Sequence, residues 1–222
     1  MELRRKIYKD LLEWKNTSNG STAMMLEGAR RVGKSYISEL FGQREYKSYL
    51  LLDFSNIPTI VKDLFLNESH DLDSFFMKLS TYYSVKFHKR DTLMIFDEVQ
   101  LFPEARQLIK HLVADGRYDY LETGSLISLK RNIQDIVIPS EEEHIEMHPL
   151  DFEEFLEVIG ESLTFEYIRK QFHDEKPLGE ALHRKAMNLF RQYILTGGMP
   201  QAVLEFINTK DFDRVDKVKR RV

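Results

Sequence analysis

The chain has 222 residues, 42% of them apolar, 12% aromatic and 31% charged, enough for one large domain or for a core with a smaller appendage. A net charge of -4 and a pI near 6.0 exclude a generic grip on nucleic acid through overall positive charge, leaving room only for a local basic patch. With no cysteine there is no disulfide framework, thiolate metal site or cysteine nucleophile, which suits a reducing cytoplasm, and no apolar run approaches the roughly 18 residues of a membrane span.

In chain order, "MELRRKIYKDLLEWK" reads as a charged amphipathic helix with Leu3, Ile7, Leu11 and Trp14 on its apolar stripe. It lacks the apolar stretch of a signal sequence. A turn-rich break over 16–21 follows, and "TAMMLEG", short, apolar and closed by glycine, reads as a buried strand. Four more strands are expected at 48–54, 91–99, 117–124 and 142–150. Near-continuous apolar runs such as Leu50 to Leu52 and Leu93 to Phe96 fit strands covered by helices on both faces. Between the strands, 35–41 reads as a helix, and Leu72, Phe75, Phe76, Leu79 and Tyr83 make a stripe at helical spacing. "FPEARQLIKHLVADG" opens with a proline suited to a first helical turn, offers Leu108, Ile109, Leu112 and Val113 for burial, and stops at Gly116.

This alternation predicts a three-layer α/β core over 1–150 with a mainly parallel five-stranded sheet. From about 151 the strand signals stop. Three helical patterns follow, the last with Leu178, Leu182, Leu189 and Tyr193 on one stripe between Pro177 and Gly197-Gly198. A helical subdomain is therefore expected over 151–222.

The motif that carries chemistry lies after the first strand. Gly28, Ala29, Arg30, Arg31, Val32, Gly33, Lys34 and Ser35 spell glycine, four residues, then Gly-Lys-Ser, with Tyr36 continuing into a helix. Glycines let backbone N–H groups turn inward onto phosphate oxygens, Lys34 can place its ammonium on the β- and γ-phosphates, and the Ser35 hydroxyl suits Mg²⁺. Downstream, "LMIFDEV" runs an apolar strand to Asp97 at its C-terminal tip, where ligands of parallel sheets collect. A carboxylate there can hold Mg²⁺, and the adjacent Glu98 is placed to polarise a water. "YLETGS" ends the next strand with Thr123 and Ser125, which can contact the γ-phosphate, orient the water, or cap a following helix. Together these predict a site that binds and hydrolyses ATP with Mg²⁺.

With "LLEWK", "LEGARRVGKS", "FGQREYKSYLLLDFS", "LMIFDEVQLFPEARQLIKHLVADGRYDYLETGSLISL", "IPSEEEHIEMHPLDFEEFL" and "GGMPQAV" taken together, the chain resembles the AAA-type ATPases of bacteria and archaea in which a P-loop core precedes a separate C-terminal domain. The resemblance implies an AAA+-like P-loop NTPase fold. It implies phosphate and Mg²⁺ ligation by Gly33, Lys34 and Ser35, an Mg²⁺ carboxylate at Asp97, a catalytic base at Glu98, and a sensor at Thr123 or Ser125. It also implies a Gly-x-Pro element, here Gly198 and Pro200, against the adenine, a stretch that reads equally as the end of one helix and the start of another. Such enzymes often complete the site with an arginine from a partner, so a homo-oligomer or partner protein is expected, with Arg184 and Arg191 as arginine candidates on this chain. The family's further C-terminal domain would place 151–222 just before a missing segment.

Two rival functions are a nucleotide-dependent switch with little turnover and an ATPase that regulates DNA processing through that C-terminal part. Glu98 argues against the first and the acidic charge gives the second no support. The pair His144 and His148 is not read as a metal site, because four residues of strand span about 13 Å. Phe75, Phe76, Tyr82 and Tyr83 are read as core, and "KVKRR" as a frayed, solvated tail.

Overall fold

The computed structural model describes residues 3–125 and 141–221. Residues 126–129 and 138–140 of the stretches quoted above therefore lie outside the described residues. The chain divides into two compact units, Ile7–Met147 and Met1–Lys6 with His148–Val222.

The first unit is built by strand alternation. Helix α1 (Ile7–Ser18) leads to β1 (Ala23–Gly28), α2 (Lys34–Glu45), β2 (Ser48–Asp53), α3 (Thr59–Asp63) with a π-helical turn (Leu64–Glu68), and α4 (Leu72–Tyr83). Then come β3 (Thr92–Asp97), a 3-10 turn (Val99–Leu101), α5 (Pro103–Asp115), β4 (Asp119–Ser125) and β5 (Glu142–Met147). The sheet order is β2-β3-β4-β1-β5, and every pairing is parallel. Because side chains alternate across a strand, each strand feeds two cores. Met24, Leu26, Leu93, Ile95 and Leu121 pack with Ile7, Leu11 and Trp14 of α1 and Ile37 and Phe41 of α2. Their neighbours Met25, Leu50, Leu52, Met94, Phe96 and Tyr120 pack on the other face with Val61, Phe75, Leu79, Ile109 and Leu112. Each such side chain stabilises the fold by about 1.5–3 kcal/mol. The parallel pairing also aligns the C-terminal tips of β3, β4 and β1 as neighbours, which places Asp97, Ser125 and Gly28 at one end of the sheet.

The second unit holds α6 (Phe152–Val158), α7 (Ser162–His173), α8 (Glu180–Thr196), α9 (Pro200–Thr209) and α10 (Phe212–Lys219). Its core joins Leu3, Leu150, Phe155, Leu156, Leu189, Val203, Phe206 and Val215. Asp151 and Glu154 form a reciprocal cap at the start of α6, and the Glu154 carboxylate also accepts from Arg5 Nε at 3.1 Å and from the Lys6 backbone N–H at 2.7 Å. Gly198 answers a close approach: a Cβ there would stand 2.1 Å from the Leu150 carbonyl oxygen. Pro200 fills the first turn of α9, where its missing N–H costs nothing.

Several expectations change. The first helix begins at Ile7 and runs to Ser18, so the break starts at Asn19, which has positive φ; Leu3 belongs to the core of the other unit rather than to the α1 stripe. The helix after the glycine loop runs on to Glu45. Helix α8 starts after Gly179 rather than at Pro177, since a proline three residues earlier leads a non-helical approach, and its buried face is Ala186, Leu189 and Thr196 while Leu182 is exposed. Tyr82 is 46% exposed rather than core, being on the outer side of α4. The tail is helical to Lys219, whose ammonium bonds the Leu195 carbonyl. His144 lies in β5, its Nδ1 3.0 Å from Glu27, and no metal-holding group of three or more His, Cys, Asp or Glu occurs among the described residues.

One carboxyl sits in the core without a cation of its own. Glu122 in β4 is fully buried, while the Arg106 guanidinium from α5 is engaged in a two-point pair with Glu142 of β5 at 3.2 and 2.8 Å. Burial, then the neighbouring Glu142 carboxylate, hold Glu122 well above the usual carboxylate range against the pull of Arg106. A raised folded-state value means stability is fully present below the unfolded carboxylate range and declines as pH rises toward the folded one. Glu122→Gln keeps the shape and cannot ionise. Thermal melts are expected to show the variant gaining on wild type as pH rises above the ordinary carboxylate range.

Candidate functional site

The site is built from the loop between β1 and α2 and from the tips of β3 and β4. Gly28 ends β1 with its Cα facing the Met147 carbonyl of β5, where a Cβ would come within 2.4 Å of the oxygen. Ala29, Arg30 and Arg31 are exposed, Arg31 in the left-handed region at φ 62, and Val32 then dives into the α1/α2 core with no exposed surface. Gly33 turns the chain into α2 at φ 103, ψ 21, a conformation that favours glycine. Helix α2 begins with no side-chain cap and no acidic residue in its first turn, so its first N–H groups face the loop with the positive end of the helix dipole behind them. Tyr36, one turn in, is half exposed.

Lys34 is 5% exposed and curls back over the loop, its ammonium donating to the Gly28 carbonyl at 3.1 Å and to the Ala29 carbonyl at 3.0 Å. Burial pulls its pKa below the ordinary lysine value, with the Glu98 and then the Asp97 carboxylate pulling the other way.

Ser35 Oγ donates to both carboxylate oxygens of Asp97, at 2.8 and 2.9 Å. Asp97 is 7% exposed, and its Oδ1 also accepts from Thr123 Oγ1 at 2.5 Å. The same Thr123 oxygen accepts the Glu98 N–H at 3.1 Å. One fully buried hydroxyl thus ties β4 to Asp97 at the tip of β3 and to Glu98 just after it. Thr123 caps no helix, being inside β4. Ser125 stands in register with Gly28 at 3% exposure, and a helix for it to cap would fall outside the described residues. Glu98 is half-buried in the left-handed region, φ 54, ψ 44, just before the 3-10 turn. Its Oε2 accepts from the side-chain amide of Gln100, a residue the sequence reading passed over although it stands two places on in "DEVQ".

The structure therefore brings together Gly28 to Ser35, Asp97, Glu98, Thr123 and Ser125 in one unit. Gly198 and Pro200 belong to the other unit, as do Arg184, paired with Glu180, and Arg191, bonded to Asn188. The Ser35 hydroxyl and Asp97 carboxylate are hard oxygen donors held within 3 Å of each other, a donor set that fits Mg²⁺. No helix is long and apolar enough to cross a membrane among the described residues.

The sequence signature of a family described as "AAA domain" matches residues 20–156. No curated protein matches the sequence. Among solved structures, the Walker-type ATPase of Pyrococcus abyssi is similar at TM-score 0.53 and 16% identity, over 97% of this chain and 71% of that one. The Aeropyrum pernix ORC1 protein in complex with DNA gives 0.47 and 9%, over 73% of this chain and 50% of that one. The S. cerevisiae Hsp104–casein complex gives 0.48 and 13%, over 91% and 36%. The first likeness carries the fold, and the other two add no argument to it.

Thr123→Val deletes the shared hydroxyl while keeping the shape. It leaves the Glu98 N–H without its acceptor and Asp97 with Ser35 but without its second donor, so denaturant unfolding is expected to show a loss of about 1–3 kcal/mol. Retention of full stability would mean the hydroxyl does not tie the two strands.

Proposed function

The chain belongs to the AAA domain family and has the three-layer α/β fold of a P-loop ATPase; from that premise we propose that it binds ATP with Mg²⁺ and hydrolyses it. The observation that carries the reading is the direct contact of Ser35 with both oxygens of Asp97 beside the buried Lys34. The loop N–H groups from Gly28 to Ser35 and the Lys34 ammonium bind the phosphates, with Arg30, Arg31 and Tyr36 at the exposed rim. Ser35 and Asp97 would hold Mg²⁺, which when bound neutralises phosphate charge. Glu98 takes a proton from water as its oxygen bonds the γ-phosphorus and the bond to the β–γ bridging oxygen breaks, giving ADP and phosphate. Thr123 and Ser125 hold the γ-phosphate end in place. Most of the rate enhancement comes from positioning and fixed charge.

Adenine over guanine follows from the family and from the lack of an Asn-Lys-x-Asp guanine motif. Intrinsic turnover is slow if, as in AAA enzymes generally, a second copy or partner protein completes the site with an arginine. A cytoplasmic setting, where ATP and Mg²⁺ occur together, completes the reading.

An ATP titration is expected to show a large loss of affinity for Lys34→Ala. Glu98→Gln should bind ATP as wild type does and release phosphate about 10²- to 10⁴-fold more slowly. Unchanged affinity in the first variant removes the binding site. Equal phosphate release by wild type and Glu98→Gln, with binding intact, makes the protein a nucleotide switch instead.

A further inference from the structure

The base proposed above sits in an awkward place. Glu98 follows the last residue of β3, in a left-handed backbone conformation that non-glycine residues seldom adopt. Its peptide is held by Thr123 on one side and by the turn on the other, where the Leu101 N–H donates to the Glu98 carbonyl at 2.9 Å. The backbone is therefore fixed, but a glutamate carries three further rotatable bonds. At half-exposure nothing in the backbone decides where its carboxylate points.

Gln100 supplies that decision. It lies in the turn Val99–Leu101, is 4% exposed, and follows Val99, which is wholly buried in the α3–α5 core. Packing limits the rotamers of such a side chain. Its amide nitrogen donates to Glu98 Oε2, a hydrogen bond to an ionised acceptor and so among the stronger kinds. The residue held this way directly follows Asp97, whose carboxylate the Ser35 hydroxyl contacts, at the end of the sheet where the glycine loop lies. An amide also suits the position chemically: it fixes one carboxylate oxygen without adding a cation that would compete with Lys34 for the acid, and it leaves Oε1 to meet water.

We propose that Gln100 is a positioning residue for the hydrolytic step, aiming the Glu98 carboxylate into the phosphate end of the site. The proposal rests on the ATPase reading and adds a residue that touches neither nucleotide nor metal. It makes a distinctive demand: removing the amide acts on turnover through Glu98 alone and leaves ATP binding as it was.

The test is a double-variant cycle on the whole chain, reading ATP affinity by titration and hydrolysis by single-turnover phosphate release. Gln100→Leu, similar in size and unable to donate, is expected to slow hydrolysis about 10- to 100-fold with ATP affinity within about twofold of wild type. In the Glu98→Gln background the same substitution should change the residual rate by less than about twofold, because the acid it aims is already gone. Gln100→Glu keeps the shape and sets a carboxylate against Glu98. It is expected to lose at least as much rate, and it decides the matter if Gln100→Leu does not fold. Wild-type hydrolysis by these variants overturns the proposal, as does an equal fractional loss with and without Glu98, which is what a merely structural glutamine would give. The parent reading fails differently, by wild type and Glu98→Gln hydrolysing alike, and the proposal then falls with it.

Discussion

The contact between Ser35 and Asp97 holds the rest of the site in relation. These residues are 62 positions apart and belong to different parts of the proposed site: one opens the helix after the glycine loop, the other closes β3. They meet because β4 inserts between β3 and β1 with all strands parallel, so that the loops leaving β1 and β3 rise from the same end of the sheet. Any register slip by one residue would send Asp97 to the opposite face and break the contact. The two apolar cores on either side of the sheet oppose such a slip, because Leu93 and Ile95 fit one and Met94 and Phe96 fit the other.

Around that contact the protein spends polar groups sparingly. Thr123, with no exposed surface, serves Asp97 with its proton and Glu98 with its lone pair. Lys34 satisfies its ammonium on two carbonyls of its own loop. The loop itself is held at three points that need no polar group: Gly28 against the backbone of β5, Val32 in the core, and Gly33 at its positive φ. A loop so held keeps its N–H groups oriented before any anion arrives, and preorganised dipoles of this kind are the main source of electrostatic stabilisation in phosphoryl transfer. Deeper along β4, Glu122 is the exception, a fully buried carboxyl beside the Arg106–Glu142 pair whose pKa burial holds well above the usual range.

Much of this was legible in the residues. The strands announced themselves because both faces of the sheet are covered, which makes them nearly continuous apolar runs. The glycine loop and "FDE" were legible as motifs because the proposed phosphate and metal chemistry would leave few alternatives at those positions. Three things were not legible, each for a physical reason. Where α1 begins depends on Leu3 being claimed by a core whose other members lie beyond residue 148, a tertiary preference that overrides the helical spacing of Leu3, Ile7 and Leu11. The start of α8 misleads because Pro177 and Gly179 both suit an approach to a helix, and only the fold selects between them. Gln100 was passed over because a lone glutamine has no spacing signature; its role appears only when the turn folds its side chain back onto Glu98.

The salt link from Arg5 to Glu154, with Arg5 Nη2 also on the His148 carbonyl, has a consequence for synthesis on the ribosome. Arg5 is completed by a partner made 149 codons later, whereas Ile7–Met147 is a compact unit by itself. The α/β unit can thus assemble while the rest of the chain is still being translated. The Arg5 segment, which belongs to the helical unit, then waits unfinished until the rest of that unit is made and draws it in.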